Sequence, residues 1–326
     1  MMRKHSGSLL IITLWLISIL SVLAVAIGRA LSLEVRLTNY QIAREQARAL
    51  AHGGIYLALQ RLAADLGEDA YDWLEDDWAR FPQADAQADP ALWIVPARDE
   101  AADAGRSVSR VEILMRDEQR KLDLQTVPAA TLGPLIASDE VAAAIVDYYD
   151  EDKDGVWEAT VAEPLYYPKD APVVALEELL GVPGMTAEVF NRLRAVTFAV
   201  PDAAVTTVNI NTAEPEVLRA AGLPEGIAVG IVGFRQQGHY FTRLSPTVET
   251  DGPSPPFEPS DTQFLNALPR LTVSAELFTI MATGRSSRSR AVYRVEACVK
   301  RGVSGAPAVT LGGKSFRILS WREGWA

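Results

Sequence analysis

The sequence has few of the residues that build reactive or metal-binding sites. Its 326 residues include one cysteine, Cys298, and three histidines. A single cysteine excludes an intramolecular disulfide, and so small a set of cysteines and histidines argues against a zinc site. Positively charged residues are also fewer than negatively charged ones. The chain has 31 lysines and arginines against 42 aspartates and glutamates, which gives a net charge of −11. This balance disfavours a phosphate-backbone partner and is compatible with cation binding.

The motifs of common enzyme classes are missing as well. The chain contains no nucleophile elbow, no P-loop, no HExxH and no GxGxxG after a predicted strand. His5, His52 and His239 are scattered along the chain, and none stands in a catalytic pattern. We therefore expect a protein that is not an enzyme, with no catalytic residues. A membrane-anchored hydrolase that uses the acidic loop described below is an alternative.

The most informative stretch is the N-terminus. Residues 1–7 (MMRKHSG) are polar and basic, and residues 9–27 are apolar except for one threonine and two serines. Nineteen helical residues span about 28 Å, close to the thickness of the hydrocarbon core of a bilayer. Arg3 and Lys4 place the short leader on the cytoplasmic side of the membrane.

Three interpretations of this stretch compete. It could be a secretory signal cleaved after Ala26, an uncleaved signal anchor, or a prepilin-like leader cleaved between Gly7 and Ser8. The apolar run is longer than a usual signal-peptide core, and helix-forming sequence without proline continues to residue 66. This continuity favours prepilin cleavage, a retained single-pass helix over residues 8–66 about 90 Å long, and a chain that lies mostly in the periplasm.

The remainder predicts an α+β protein. Residues 107–115 alternate as a strand, residues 276–284 and 291–300 form a hairpin around a basic loop, and residues 314–321 form a last strand. We expect an antiparallel sheet covered by the long helix. The predicted units are the leader, the helix, an α/β domain of residues 67–117 plus 270–326, and an inserted helical domain of residues 118–269.

The insert contains a repeated pattern. Residues 122–126 (LDLQT) match residues 208–212 (VNINT) at an offset of 86, and apolar positions downstream match at the same offset. Residues 176–193 have a similar helix–turn–helix pattern. The insert is therefore predicted to consist of two or three helical hairpins, similar to SAM-like or helix-hairpin-helix repeats.

An acidic loop follows the first of these hairpins. Residues 150–158 (DEDKDGVWE) match the D-x-D-x-D-G pattern of calcium loops, in which alternating carboxylates converge and the glycine allows a sharp turn. The candidate ligands of a structural Ca²⁺, one ion or two, are Asp150, Asp152, Asp154, Glu158 and Glu163. Val161 stands where an EF-hand has its bidentate glutamate, so a solvated acidic turn is the competing interpretation.

Residues 208–241 resemble the helix-hairpin-helix modules of DNA-uptake proteins, in which hairpin N–H groups bind a phosphate. Glu225 places a negative charge in this hairpin, and three arginines are matched by three glutamates across residues 208–244. A packing and interaction module is therefore favoured, with no nucleic acid as partner. A membrane-anchored DNA-binding protein of an uptake or type IV pilus system remains the alternative function.

Taken together, these motifs resemble one family, the minor pseudopilin K of type II secretion systems. The leader and apolar helix resemble its prepilin cleavage region, and Ile12 stands at the fifth mature position, where most pilins have glutamate but the K family does not. Residues 72–79 (DWLEDDWA) resemble its acidic–tryptophan motif. Residues 147–152 and 162–167 resemble the segments around its bound calcium, and residues 209–213 (NINTA) resemble its asparagine-rich signature.

This resemblance implies a pseudopilin fold with a large insert and a place at the tip of a periplasmic pseudopilus. It further implies cleavage and methylation by prepilin peptidase, and a complex with pseudopilins I and J and the other pseudopilins. The role would be to initiate pseudopilus assembly and support export of folded proteins across the outer membrane. A tip subunit has no neighbour ahead of it, which agrees with Ile12 in place of a glutamate that would neutralise that neighbour's amine.

Overall fold

The computed structural model describes residues 6–65, 71–81, 91–97, 109–150, 168–200, 205–302, 309–311 and 313–326, with side chains of the first helix from Leu10 onward. Its helices are α1 (Ser6–Asp65), α2 (Ala129–Ile136), α3 (Asp139–Tyr149), α4 (Ala187–Val196), α5 (Pro215–Ala220), α6 (Glu225–Gln236) and α7 (Thr262–Ala267). Tighter 3-10 turns form at Glu118–Arg120, Leu124–Thr126, Leu176–Gly181 and Leu268–Arg270.

The strands fall into one main sheet and three small pairings. They are β1 (Leu92–Pro96), β2 (Arg110–Asp117), β3 (Leu122–Asp123), β4 (Thr197–Phe198), β5 (Val208–Asn209), β6 (Phe241–Arg243), β7 (Glu249–Thr250), β8 (Leu271–Thr272), β9 (Leu277–Arg285), β10 (Val292–Arg301), β11 (Val309–Leu311) and β12 (Lys314–Trp325). The main sheet is antiparallel and has the order β1-β2-β9-β10-β12-β11.

Helix α1 covers one face of this sheet with its second half. Small and aliphatic residues recur every three or four positions on the buried side, as a helix that packs against a sheet requires. They are Ala43, Ala47, Ala51, Ile55, Ala58, Leu59 and Leu62. Opposite them, alternate residues of β2, β9 and β10 point inward, including Ile113, Ile280 and Val295. The predicted long helix on an antiparallel sheet is therefore present.

Two glycines allow the helix and the sheet to approach closely. A Cβ on Gly284 would lie 2.0 Å from the carbonyl oxygen of Ala47, inside van der Waals contact with the helix backbone. A Cβ on Gly54 would lie 2.7 Å from Cγ2 of Val111 and 2.9 Å from Cβ of Ala282. Any side chain at either position would push the two layers apart.

The last strand also contacts the helix. The guanidinium of Arg44 lies 4.1 Å from the centre of the Trp325 ring, a cation–π contact. Glu323 lies 3.4 Å from Arg48 and 2.9 Å from Nε2 of His52. Strand β12 extends to Trp325, beyond the predicted end at residue 321, because its second half pairs with β10 along its whole length.

A second buried core lies within the insert. Equivalent positions of the two repeats are fully buried in it, since Leu132 matches Leu218 and Ile145 matches Ile231. Each repeat begins with a two-residue strand in a parallel pairing, β3 with β4 and β5 with β8. The predicted helices are thus joined by short strand pairings that the local sequence does not reveal, because each partner is about 60 residues away or more.

Candidate functional site

The first half of α1 is exposed and apolar. Its large hydrophobic side chains from Leu10 to Ile27 are each between 51% and 71% exposed, and the 18-residue window with the highest mean hydropathy reaches 2.8. By length and composition this helix can cross a membrane. Gly7 and Ser8, the predicted cleavage residues, lie in the first turns of the same helix backbone.

At the other end of α1, a buried polar junction joins the helix, the sheet and the insert. Its first member is Asp72, which follows the helix and is fully buried. The carboxylate of Asp72 accepts hydrogen bonds from the N–H of Ala275 (2.7 Å) and from the guanidinium of Arg301. The N–H of Asp72 donates to the carbonyl of Val273 (2.8 Å). Asp72 therefore fixes the segment after the helix to the chain entering the sheet.

The second member is Asp117, at the end of β2 where the chain leaves the sheet. Its Oδ2 accepts hydrogen bonds from Oγ1 of Thr212 (2.6 Å) and Nδ2 of Asn209 (3.0 Å), and its Oδ1 accepts one from the N–H of Gln119 (2.7 Å). Nδ2 of Asn209 also donates to the carbonyl of Asp72 (3.1 Å). One asparagine thus connects both aspartates.

Asn211 completes the connection to the insert. Its side-chain amide exchanges two hydrogen bonds with Phe241, at 2.8 Å each, as a paired strand residue would. Its N–H donates to Oδ1 of Asn209 (3.0 Å). The two asparagines of the NINTA segment are therefore buried backbone-binding groups, which accounts for amides at positions where a core would otherwise be apolar.

Burial changes the acid–base properties of these carboxyls. Desolvation raises the pKa of Asp117 to about 7, although hydrogen bonds from Thr212, Asn209 and Gln119 oppose the shift. Desolvation also raises the pKa of Asp72, against the opposing charge of Arg301. The pKa of Asp65, the last residue of α1, rises to about 7 through burial and the nearby charges of Asp76 and Asp72.

Asp65, Asp72 and Asp76 bring carboxylate oxygens within 4.8 Å of one another. Arg301 balances part of this negative charge, because it contacts Asp72 and its Nη1 lies 3.7 Å from Oδ2 of Asp65. The same guanidinium stacks over Phe278 at 4.9 Å. The three carboxylates and Arg301 form an ion-pair network at the end of the helix.

The predicted calcium loop is described only at its start. The backbone N–H of Asp150 bonds the carbonyl of Val146 at 3.0 Å and ends α3. The other predicted ligands, Asp152, Asp154, Glu158 and Glu163, lie outside the described residues. The calcium site therefore stays a prediction.

The helix-hairpin-helix segment differs from a phosphate-binding site in the charge of its hairpin. Gly222 adopts a φ of +110° in the turn before α6, a conformation that favours glycine. Glu225, at the start of α6, forms an ion pair with Arg219. The hairpin thus presents a carboxylate, already paired with an arginine, where a phosphate would bind.

The sequence motifs include Asp72 and the NINTA segment but do not indicate their partners, Asp117 and Arg301. Arg301 continues the inward alternation Val295, Ala297, Val299 of β10, and a charge at an inward position was a usable signal.

Comparison with known proteins identifies the fold. No family model and no curated protein matches this sequence. The structure matches a chain of the crystal structure of the GspK-GspI-GspJ complex from the type 2 secretion system of enterotoxigenic Escherichia coli, with a TM-score of 0.61 and 16% identity. The match covers 88% of this chain and 99% of that chain. The α+β pseudopilin fold predicted from the sequence is thereby confirmed.

Proposed function

We propose that this chain is the minor pseudopilin K of a type II secretion system. The observation that carries the proposal is the match over 99% of a chain of the GspK-GspI-GspJ complex, which extends beyond the helix and sheet into the insert. A protein of this kind acts by assembly, so we propose no enzymatic role.

The first helix supports the proposed membrane insertion and processing. Its exposed apolar half would be retained in the inner membrane, with the bulk of the chain in the periplasm. Prepilin peptidase would cleave between Gly7 and Ser8 and methylate the new N-terminus. Since α1 continues unbroken from Ser6 to Asp65, cleavage after Ala26 would cut the middle of a helix.

The tip position rests on two features. Ile12 is 57% exposed and offers no charge to a subunit ahead of it. The insert begins after β2 and ends before β9, and it has a hydrophobic core of its own. The subunit therefore carries a bulky second domain in addition to the pseudopilin sheet. We propose pseudopilins I and J as partners below this subunit, with pseudopilus initiation and export of folded proteins as the outcome.

Copurification tests the proposal. The full chain, coexpressed with pseudopilins I and J of the same organism, should be recovered as a complex with one copy of each by native mass spectrometry. Recovery of the chain alone would contradict it. Salt-sensitive binding of the chain to duplex DNA would favour an uptake receptor instead.

A further inference from the structure

Two arginines lie on one face of α1 immediately beyond the apolar segment. Arg29 and Arg36 are seven residues apart, nearly two helical turns, so their side chains project within about 20° of each other. Both line one groove on the helix surface, together with Val25, Gly28, Ser32 and Leu33. Neither arginine forms an ion pair with a described residue.

The acidic residues of this part of the helix point elsewhere. Glu34 and Glu45 project about 140° and 160° from Arg29, close to the opposite face. The helix is therefore basic on one side and acidic on the other. The floor of the groove adds no charge, because Gly28 has no side chain and the hydroxyl of Ser32 is bonded to the Gly28 carbonyl at 2.8 Å.

Arg29 lies at the height of the lipid headgroups, and Arg36 lies beyond them on the same face of the helix. Ile27 ends the apolar run, so Arg29 lies about 3 Å and Arg36 about 14 Å further along the helix axis. The polar zone of each leaflet is about 5–7 Å thick. Side chains on a helix lean toward its N-terminus, which here is the membrane side, so Arg36 extends back toward that zone.

We infer that Arg29 and Arg36 bind the phosphate of an anionic phospholipid in the periplasmic leaflet, an inference that rests on the proposed membrane insertion. Arginine favours phosphate through its planar set of donors. Val25 lines the same groove within the apolar segment and would contact the upper acyl chain. Arginines on this side do not serve orientation, because that role belongs to Arg3 and Lys4 on the cytoplasmic side.

Native mass spectrometry tests this inference. The full mature chain is released from nanodiscs that contain equal amounts of phosphatidylglycerol and phosphatidylcholine, and retained lipids are counted. We expect preferential retention of phosphatidylglycerol. The double variant Arg29→Gln/Arg36→Gln should lose this preference by a factor on the order of thirty, from the usual contribution of two membrane-proximal charges.

The matched control is Arg288→Gln/Arg290→Gln, which removes two exposed arginines from the β9–β10 loop and should leave lipid retention unchanged. Equal retention of both lipids by the wild type would overturn the inference, as would an equal loss in the control. Unchanged lipid retention with weaker capture of pseudopilins I and J by the Arg29/Arg36 variant would assign the arginines to a protein partner.

The two proposals fail separately. A chain that is cleaved after Gly7 and resists extraction from the membrane, yet shows no lipid preference, overturns only the lipid inference. A chain that does not insert overturns both.

Discussion

Arg301 faces two carboxylates at once, because its guanidinium contacts Asp72 and lies near Asp65. Removal of a buried charge that is paired leaves its partner uncompensated and costs about 3–5 kcal/mol. We predict a loss of this size in the free energy of unfolding for Arg301→Ala, measured by denaturant titration of the full chain in detergent.

A double-mutant cycle separates this effect from lost packing. In Asp72→Asn/Arg301→Ala the uncompensated carboxylate of Asp72 is gone, so the double variant should be less destabilised than the sum of the two single variants. Additive losses would show that the two side chains do not interact and that Arg301 acts through its packing on Phe278 and its contact with Asp65.

The raised pKa of Asp117 makes the stability of the fold depend on pH. Its pKa is raised to about 7 in the folded protein and is about 4 in an unfolded chain, so between these values the folded state holds a proton that the unfolded state has released. This contribution to stability is complete below pH 4 and is lost as pH rises to 7, with a limiting slope of about 1.4 kcal/mol per pH unit.

The measurement compares wild type with Asp117→Asn, which cannot ionise. The unfolding free energy of the wild type minus that of Asp117→Asn should fall from pH 4 to pH 7 and stay constant above. An exposed control, Asp251→Asn, should follow the wild-type profile. Parallel profiles for wild type and Asp117→Asn would contradict the prediction.

At the scale of elements, the contact between α1 and the sheet depends on glycine. Gly284→Ala places a Cβ against the backbone of α1 at Ala47, and neither backbone can move without disturbing its own hydrogen bonds. We predict a loss of about 1–3 kcal/mol, as for overpacked cores. The melting temperature followed by circular dichroism reports this loss.

Gly233→Ala is the matched control in helix α6, where a new Cβ meets nothing within 4 Å. Alanine favours the helix over glycine by about 1 kcal/mol, so this variant should be neutral or more stable. Equal losses in both variants would show that the close approach at Gly284 does not matter.

The elements differ in how far local sequence determines them. Helix α1 could be predicted because 60 residues without proline keep a helical pattern. Strand β1 could not, since Trp93 and Ile94 stand in a short run inside an acidic, proline-containing stretch, and their strand conformation comes from pairing with β2. The junction was missed for the same reason, because Asp117 and Arg301 meet their partners only through the tertiary fold.

At the scale of the whole molecule, calcium binding can be tested independently of the proposed function. If the loop that begins at Asp150 holds a structural ion, EDTA should lower the melting temperature of the full chain, and added Ca²⁺ should restore it. Asp152→Asn/Asp154→Asn should show the lower melting temperature with or without EDTA. An unchanged melting temperature in EDTA would identify the loop as a solvated acidic turn.

We propose above all that the apolar helix is a processed prepilin segment that carries a pseudopilin with a large insert. The most direct measurement is the N-terminal sequence of the mature chain, isolated from membranes of cells that contain prepilin peptidase. We predict that the mature chain begins at Ser8. An intact Met1, or a start immediately after Ala26, would contradict it.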